Sequence, residues 1–158
     1  MSKKLNKKEI EKFSRQIILK NIGTLGQKKI QRAKVLIIGM GGLGCPAAEF
    51  LTRSGIGTLG LADYDKVGLS NIHRQILYSE KDINKSKVKI SKKKLNEINP
   101  KTRINIFDYK LDKIKLNKII KDYDYIIDGT DNFESKFLIN DLSLKYKKFL
   151  VAGAISKF

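Results

Sequence analysis

A short apolar run that stops at a cluster of glycines is the feature that most restricts this chain. Lys34-Val-Leu-Ile-Ile38 is followed at once by Gly39-Met-Gly41-Gly42-Leu-Gly44. A continuous aliphatic run of this length predicts a strand buried on both faces, as in a parallel sheet. Beyond the glycines, Leu43, Ala47, Phe50 and Leu51 recur at helical intervals. Pro46 falls in the first turn, where its missing N–H has no intrahelical partner to lose. Strand, glycine turn and helix in this order give a Gly-x-Gly-x-x-Gly pattern the context that binds phosphate. Gly39 permits the tight turn, Gly41 and its neighbour Gly42 let backbone N–H groups approach an anion, and Gly44 allows helix to pack closely on sheet. The plainer reading of the same glycines is a tight strand-to-helix turn with no ligand.

The rest of the chain repeats the alternation. Residues 7 to 31 have helical spacing (Ile10, Phe13, Ile17, Ile18, Leu25, Ile30), interrupted near Asn21 to Thr24 by Gly23. Further strands are predicted at Thr58 to Ala62, Thr102 to Phe107, Asp124 to Ile127 and Phe149 to Ala152. Helices are predicted at Ser86 to Ile98, weakly at Leu116 to Ile120, and at Phe133 to Tyr146, where Phe137, Leu138, Leu142 and Leu144 mark apolar positions. Five strands alternating with helices imply an α/β, doubly wound, Rossmann-like parallel sheet of order 3-2-1-4-5 with a helical N-terminal extension. The expected division is 1–32 for the extension and 33–158 for the sheet domain.

Composition narrows the functions. The 33 basic residues against 16 acidic ones leave a net charge of +17, yet 41% hydrophobic content argues against a disordered basic tail. The lysines are dispersed from Lys3 to Lys157 with no nucleic-acid-binding motif, so nucleic acid is not the expected partner. No signal sequence or membrane span is recognisable, and a cytoplasmic protein is expected. A lone cysteine, Cys45, leaves no disulfide framework and no zinc site within the chain.

Several polar residues are predicted to meet the glycine loop. Asp63, 24 residues after Gly39 at the end of the second strand, is placed to accept from ribose hydroxyls, with Asp65 as a nearby substitute. Asp131, in Asp128-Gly-Thr-Asp131-Asn132, emerges at the switch point between the first and fourth strands. A carboxylate facing polyphosphate needs a hard cation between them, which favours Mg²⁺ and a triphosphate over NAD. The alternative for Asp131 is the N-cap of the following helix. Lys87, at a helix start, and Arg74, in Leu69-Ser-Asn71-Ile-His73-Arg74-Gln75, are each explained by an anion or by solvation.

In combination these segments resemble the ThiF/MoeB/HesA adenylyltransferases, relatives of the ubiquitin-activating enzymes. Ser14-Arg15-Gln16-Ile17, the glycine loop, Asp63-Tyr-Asp65, the Asn71 to Gln75 stretch, Lys87, Asp128 to Asn132 and Gly153 to Phe158 occur in family order. The resemblance implies ATP held by the loop glycines, Asp63, Arg74 and Lys87, with Asn71, Gln75 and Asn132 as further polar contacts and Asp131 on Mg²⁺. It implies a homodimer in which Arg15 reaches the partner subunit's nucleotide. It also implies a reaction: the C-terminal carboxylate of a ubiquitin-like sulfur carrier, of the thiamine or molybdopterin type, attacks the α-phosphate and releases pyrophosphate. Such a carboxylate is already ionised, so His73 is not expected to serve as a base, and Cys45 is expected to pack rather than react. The family's C-terminal half is expected to be lacking. The other readings are an NAD-dependent oxidoreductase and a non-catalytic nucleotide-binding or dimerisation module.

Overall fold

In the computed structural model, which describes residues 4–155, five strands form one all-parallel sheet of order β3-β2-β1-β4-β5. They are β1 (Lys34–Ile38), β2 (Thr58–Ala62), β3 (Arg103–Phe107), β4 (Tyr125–Asp128) and β5 (Phe149–Ala152). The N-terminal extension holds α1 (Lys7–Lys12), α2 (Ser14–Ile17) and α3 (Gly23–Arg32), and the crossovers carry α4 (Gly44–Ser54), α5 (Lys87–Ile98), α6 (Lys113–Ile119) and α7 (Phe133–Lys145). The predicted order is the observed one. Register sets Ile38 between Ala62 and Asp128, so the carboxyl ends of β2 and β4 flank the turn that leaves β1.

Side-chain alternation along the strands feeds two cores. Val35, Ile37, Leu59, Leu61 and Ile104 pack with Ala48, Val88 and Leu95 on one face, and Leu36, Ile38 and Ile126 pack with Leu116, Ile139 and Leu142 on the other. The helical spacing misassigned several residues. Phe50 on α4 is 68% exposed, and on α7 Phe137 and Leu144 are 65% and 70% exposed. The buried residues of α4 are instead Gly44, Cys45, Ala48 and Thr52, and those of α7 are Ile139, Leu142 and Ser143. Small residues face the sheet on α4 because the glycine turn brings that helix close to the strands. In the extension, Phe13 alone of the apolar residues marked in the sequence is fully buried, while Ile18 and Leu25 are exposed.

The extension is tied to the sheet domain through the turn after α4. The Phe13 ring lies where a side chain on Gly55 would be. Gln16 donates to Gln27 Oε1 and, at 2.8 Å, to the Ser54 carbonyl, which also accepts from Gln27 at 3.0 Å. Gln27 is completely buried, so these bonds satisfy an amide that would otherwise be costly there. At the other side of the sheet β5 is an edge, as predicted, with Phe149 and Val151 exposed. Of the final matched segment, residues 156–158 lie outside the described residues.

Candidate functional site

The glycine turn is built by a close backbone crossing. Gly39 has φ of 91°, and a methyl group there would lie 2.7 Å from the Gly129 carbonyl oxygen. A methyl on Gly44 would overlap the Gly39 carbonyl oxygen. These two positions therefore require glycine on steric grounds, which accounts for the first and last glycines of the motif. Gly41 and Gly42 are open by comparison, and among the described residues no hydrogen bond engages their N–H groups. Free backbone donors at the start of α4 are what an anion requires.

Asp63 continues from β2 into this turn. Its Oδ2 accepts from Met40 N–H at 2.7 Å and its Oδ1 from Asp65 N–H at 2.8 Å. Burial pushes its pKa up, opposed by those two backbone bonds and by nearby Lys87. Asp63 thus shapes the loop, and each oxygen keeps a lone pair for a further donor. Asp65 is engaged differently. The Asp65 carboxylate is 3.0 Å from Lys87 Nζ, and the Lys87 N–H bonds the Asp65 carbonyl at 3.1 Å. Lys87 is 5% exposed. A cation at the start of α5 is therefore neutralised within the chain, so its position alone does not demand an anion.

The segment after β2 folds back over the glycines. The Arg74 side chain approaches within 3.9 Å of where a Gly42 methyl would lie, and Gln75 Nε2 within 3.7 Å of a Gly41 methyl. Arg74 is exposed, with Nη1 donating to the Ser70 carbonyl at 2.5 Å. Gln75 is 4% exposed, and its buried Oε1 has no partner among the described residues. Asn71 accepts from Gly68 N–H at 3.0 Å and closes the short turn Leu69–Asn71. His73 is exposed.

At the end of β4, Asp128 is buried and fully engaged. Thr130 donates to Oδ1 from its N–H at 2.9 Å and its hydroxyl at 2.6 Å, and Lys136 donates to Oδ2 at 2.9 Å. Lys136 also reaches the Gly153 carbonyl at 2.7 Å. The N-cap of α7 is Asn132, whose Oδ1 accepts from Ser135 N–H at 2.9 Å. Asp131 is thus not the cap, which corrects one of its two predicted roles. It is exposed and, among the described residues, makes no hydrogen bond or ion pair, while the backbone at Gly129 abuts Gly39. No group of three His, Cys, Asp or Glu gathers among the described residues. Arg15, on α2, is exposed and likewise unpaired among them.

Two contributors escaped the sequence. Lys136 neutralises the buried Asp128, and the signal was available: a carboxylate at the end of a central strand needs a cation, and Lys136 lies in the first turns of the next helix. Tyr78, buried, donates to the Met40 carbonyl at 3.0 Å, and no spacing announces that contact. Cys45 packs as expected, fully buried with Sγ 3.4 Å from the Met40 carbonyl oxygen. Burial raises its pKa from 9.0 to about 11. We expect native Cys45 to resist a thiol-disulfide reagent at pH 8 and to react fully once urea unfolds the chain; comparable rates in both states would contradict its burial. Because the folded pKa is raised, this thiol's contribution to stability is lost as pH climbs from 9 toward 11.

A sequence model of the ThiF family matches residues 13–158. A probable molybdopterin-synthase adenylyltransferase of Porphyra purpurea is 45% identical over 95% of this chain and 39% of that protein. A sulfur carrier protein adenylyltransferase of Thermus thermophilus is 37% identical over 96% of this chain and 56% of that protein. The chain therefore spans about two-fifths to just over half the length of these relatives. Among solved structures, the tRNA N6-threonylcarbamoyladenosine dehydratase of E. coli in complex with ATP superposes with a TM-score of 0.84 at 25% identity, over 93% of this chain and 60% of that one.

Proposed function

The chain belongs to the ThiF family, and on that premise we propose that it forms the ATP-binding part of an adenylyltransferase that activates the C-terminal carboxylate of a ubiquitin-like sulfur carrier. The observation that carries this reading is the exposed Asp131, two residues after the Gly129 backbone that abuts Gly39, together with Gly41 and Gly42 N–H groups that make no hydrogen bond among the described residues. An exposed carboxylate set against an anion-binding turn is repulsive toward phosphate unless a divalent cation joins them. Mg²⁺ is commonly held by one or two carboxylates with phosphate oxygens, so a lone Asp131 fits it.

In this proposal the N–H groups of Gly41 and Gly42 receive the phosphates at the start of α4, and Asp63 offers its remaining lone pairs to the ribose. Gln75 offers its Nε2, which lies 3.7 Å from where a Gly41 methyl would be, to a phosphate oxygen. Arg74 swings from the Ser70 carbonyl to a phosphate oxygen. Lys87 is shared between Asp65 and the nucleotide. Asn71 and Asn132 act through the turns they cap. The carrier carboxylate forms a bond to the α-phosphorus while the bond to the departing pyrophosphate breaks, leaving an acyl-adenylate. No proton moves, because the nucleophile has a pKa of about 3.3–3.7. Mg²⁺ would supply charge neutralisation on the phosphates, and the side chains supply position and further positive charge. Relatives named for molybdopterin synthase and for a sulfur carrier favour that carrier class.

The test is Mg²⁺-dependent ATP–pyrophosphate exchange with a ubiquitin-like sulfur carrier. Exchange supports the proposal, ATP binding without exchange reduces the chain to a nucleotide-binding module, and NAD binding with indifference to ATP overturns it. Dimerisation with Arg15 acting in trans is tested by mixing Arg15→Ala and Asp131→Ala protomers. Each alone is expected to be inactive, and the mixture to regain exchange, because one heterodimer site then holds both native residues. Failure of the mixture to recover while heterodimers form would place Arg15 in its own subunit's site or outside catalysis.

A further inference from the structure

One residue of the glycine turn, Met40, is held from several sides. Met40 N–H donates to Asp63 Oδ2 at 2.7 Å, and its carbonyl accepts from the Tyr78 hydroxyl at 3.0 Å as well as from Cys45 Sγ. The Tyr78 oxygen is also 3.1 Å from Ser91 Oγ on α5. With the phenol proton committed to Met40, Ser91 is the donor in that second bond, so a directed chain runs from α5 through Tyr78 to the turn. Tyr78 lies four residues after Arg74, and its N–H bonds the Gln75 carbonyl at 3.0 Å. One short segment therefore carries the side chains that lie over Gly41 and Gly42 and the hydroxyl that fastens the segment to Met40.

We infer that Tyr78 is a positioning residue for nucleotide capture, its hydroxyl locking the Arg74 to Tyr78 segment to the glycine turn so that Arg74 and Gln75 are poised over it. The inference rests on the nucleotide reading and adds to it a residue that the family resemblance did not assign. Arg74 is exposed and its side chain is long, so ordering its backbone beforehand removes part of the entropy otherwise lost on binding. A tyrosine that only filled the core would need no hydroxyl. Here the hydroxyl makes the only side-chain O–H bond to the turn among the described residues.

The experiment is a double-mutant cycle read as the dissociation constant of Mg²⁺-ATP, at a temperature where each variant is shown by circular dichroism to be folded. Tyr78→Phe keeps the ring and is expected to weaken ATP about five-fold, the scale of one neutral hydrogen bond. In an Arg74→Ala background the same change is expected to cost less than about two-fold, because the group it positions is gone. Hydrogen exchange on the unliganded chain gives a second readout: Tyr78→Phe should speed exchange at the Met40 amide, which Asp63 holds, without a matching rise across β1. Equal losses in both backgrounds, or a lower melting temperature with unchanged affinity and unchanged local exchange, would overturn the role. If the unsubstituted chain binds no ATP, the nucleotide reading itself fails and takes this inference with it.

Discussion

Asp131→Ala is expected to lower Mg²⁺-dependent pyrophosphate exchange by about 100-fold or more while leaving the fold intact. The separation follows from where the residue sits. Asp131 is exposed, caps nothing and pairs with nothing among the described residues, so its removal breaks no internal bond. Surface changes of that kind shift stability by about 0.5 kcal/mol or less. Asp131→Asn should lose activity almost as fully, because a neutral amide is a poor Mg²⁺ ligand even though it is nearly isosteric. The contrast with Asp128 sharpens the test. Asp128 is buried and bound to Lys136 and Thr130, so its loss would strand a cation and destabilise the chain before chemistry could be judged. Exchange rates and urea unfolding midpoints measured together distinguish the two aspartates. An Asp131→Ala protein with near-normal exchange would remove the metal-binding assignment.

The second large effect is structural. Gly44→Ala is expected to cost about 3 kcal/mol, read from urea denaturation. Its methyl would overlap the Gly39 carbonyl oxygen, and Gly39 has little freedom to retreat. The Gly39 N–H is bonded to the Ala62 carbonyl at 2.8 Å, and Gly129 stands against its other side. Relief therefore requires moving α4 off the sheet, which opens the core at Cys45 and Ala48. Gly42→Ala is the matched control. The nearest atoms to its methyl are 3.9 Å away on Arg74, an ordinary contact, so stability should change by less than about 1 kcal/mol. ATP binding should still weaken, because the methyl occupies the approach to the free N–H groups. Equal stability losses for the two variants would mean that the turn is more compliant than this packing allows.

Much of the architecture was legible because local patterns and the global fold agree. Four of the five strands are mostly apolar runs ending at a turn, β3 alternates Arg103 and Asn105 with Ile104 and Ile106, and right-handed crossovers leave few ways to order them. Helix faces were less legible. Phe50, Phe137 and Leu144 satisfy a helical period, yet the sheet accepts the small residues of α4 and a different stripe of α7. Periodicity identifies an amphipathic helix but does not say which of two apolar stripes meets the sheet, since that depends on interhelical and helix–sheet distance.

For the site, the sequence by itself determined which chemical groups lie at the carboxyl ends of β1, β2 and β4: the glycines, Asp63, Asp128 and Asp131. Strand order and chain direction are enough to bring those positions together. Only the tertiary structure decided how each group is used. It assigns Lys87 to Asp65, Asp128 to Lys136, the α7 cap to Asn132 and the Met40 carbonyl to Tyr78. It leaves Asp131 and the Gln75 oxygen without partners among the described residues. The physical reason is that a carboxylate or amide pairs with whatever donor burial brings within about 3 Å, and such pairings join residues whose separation along the chain has no period to read.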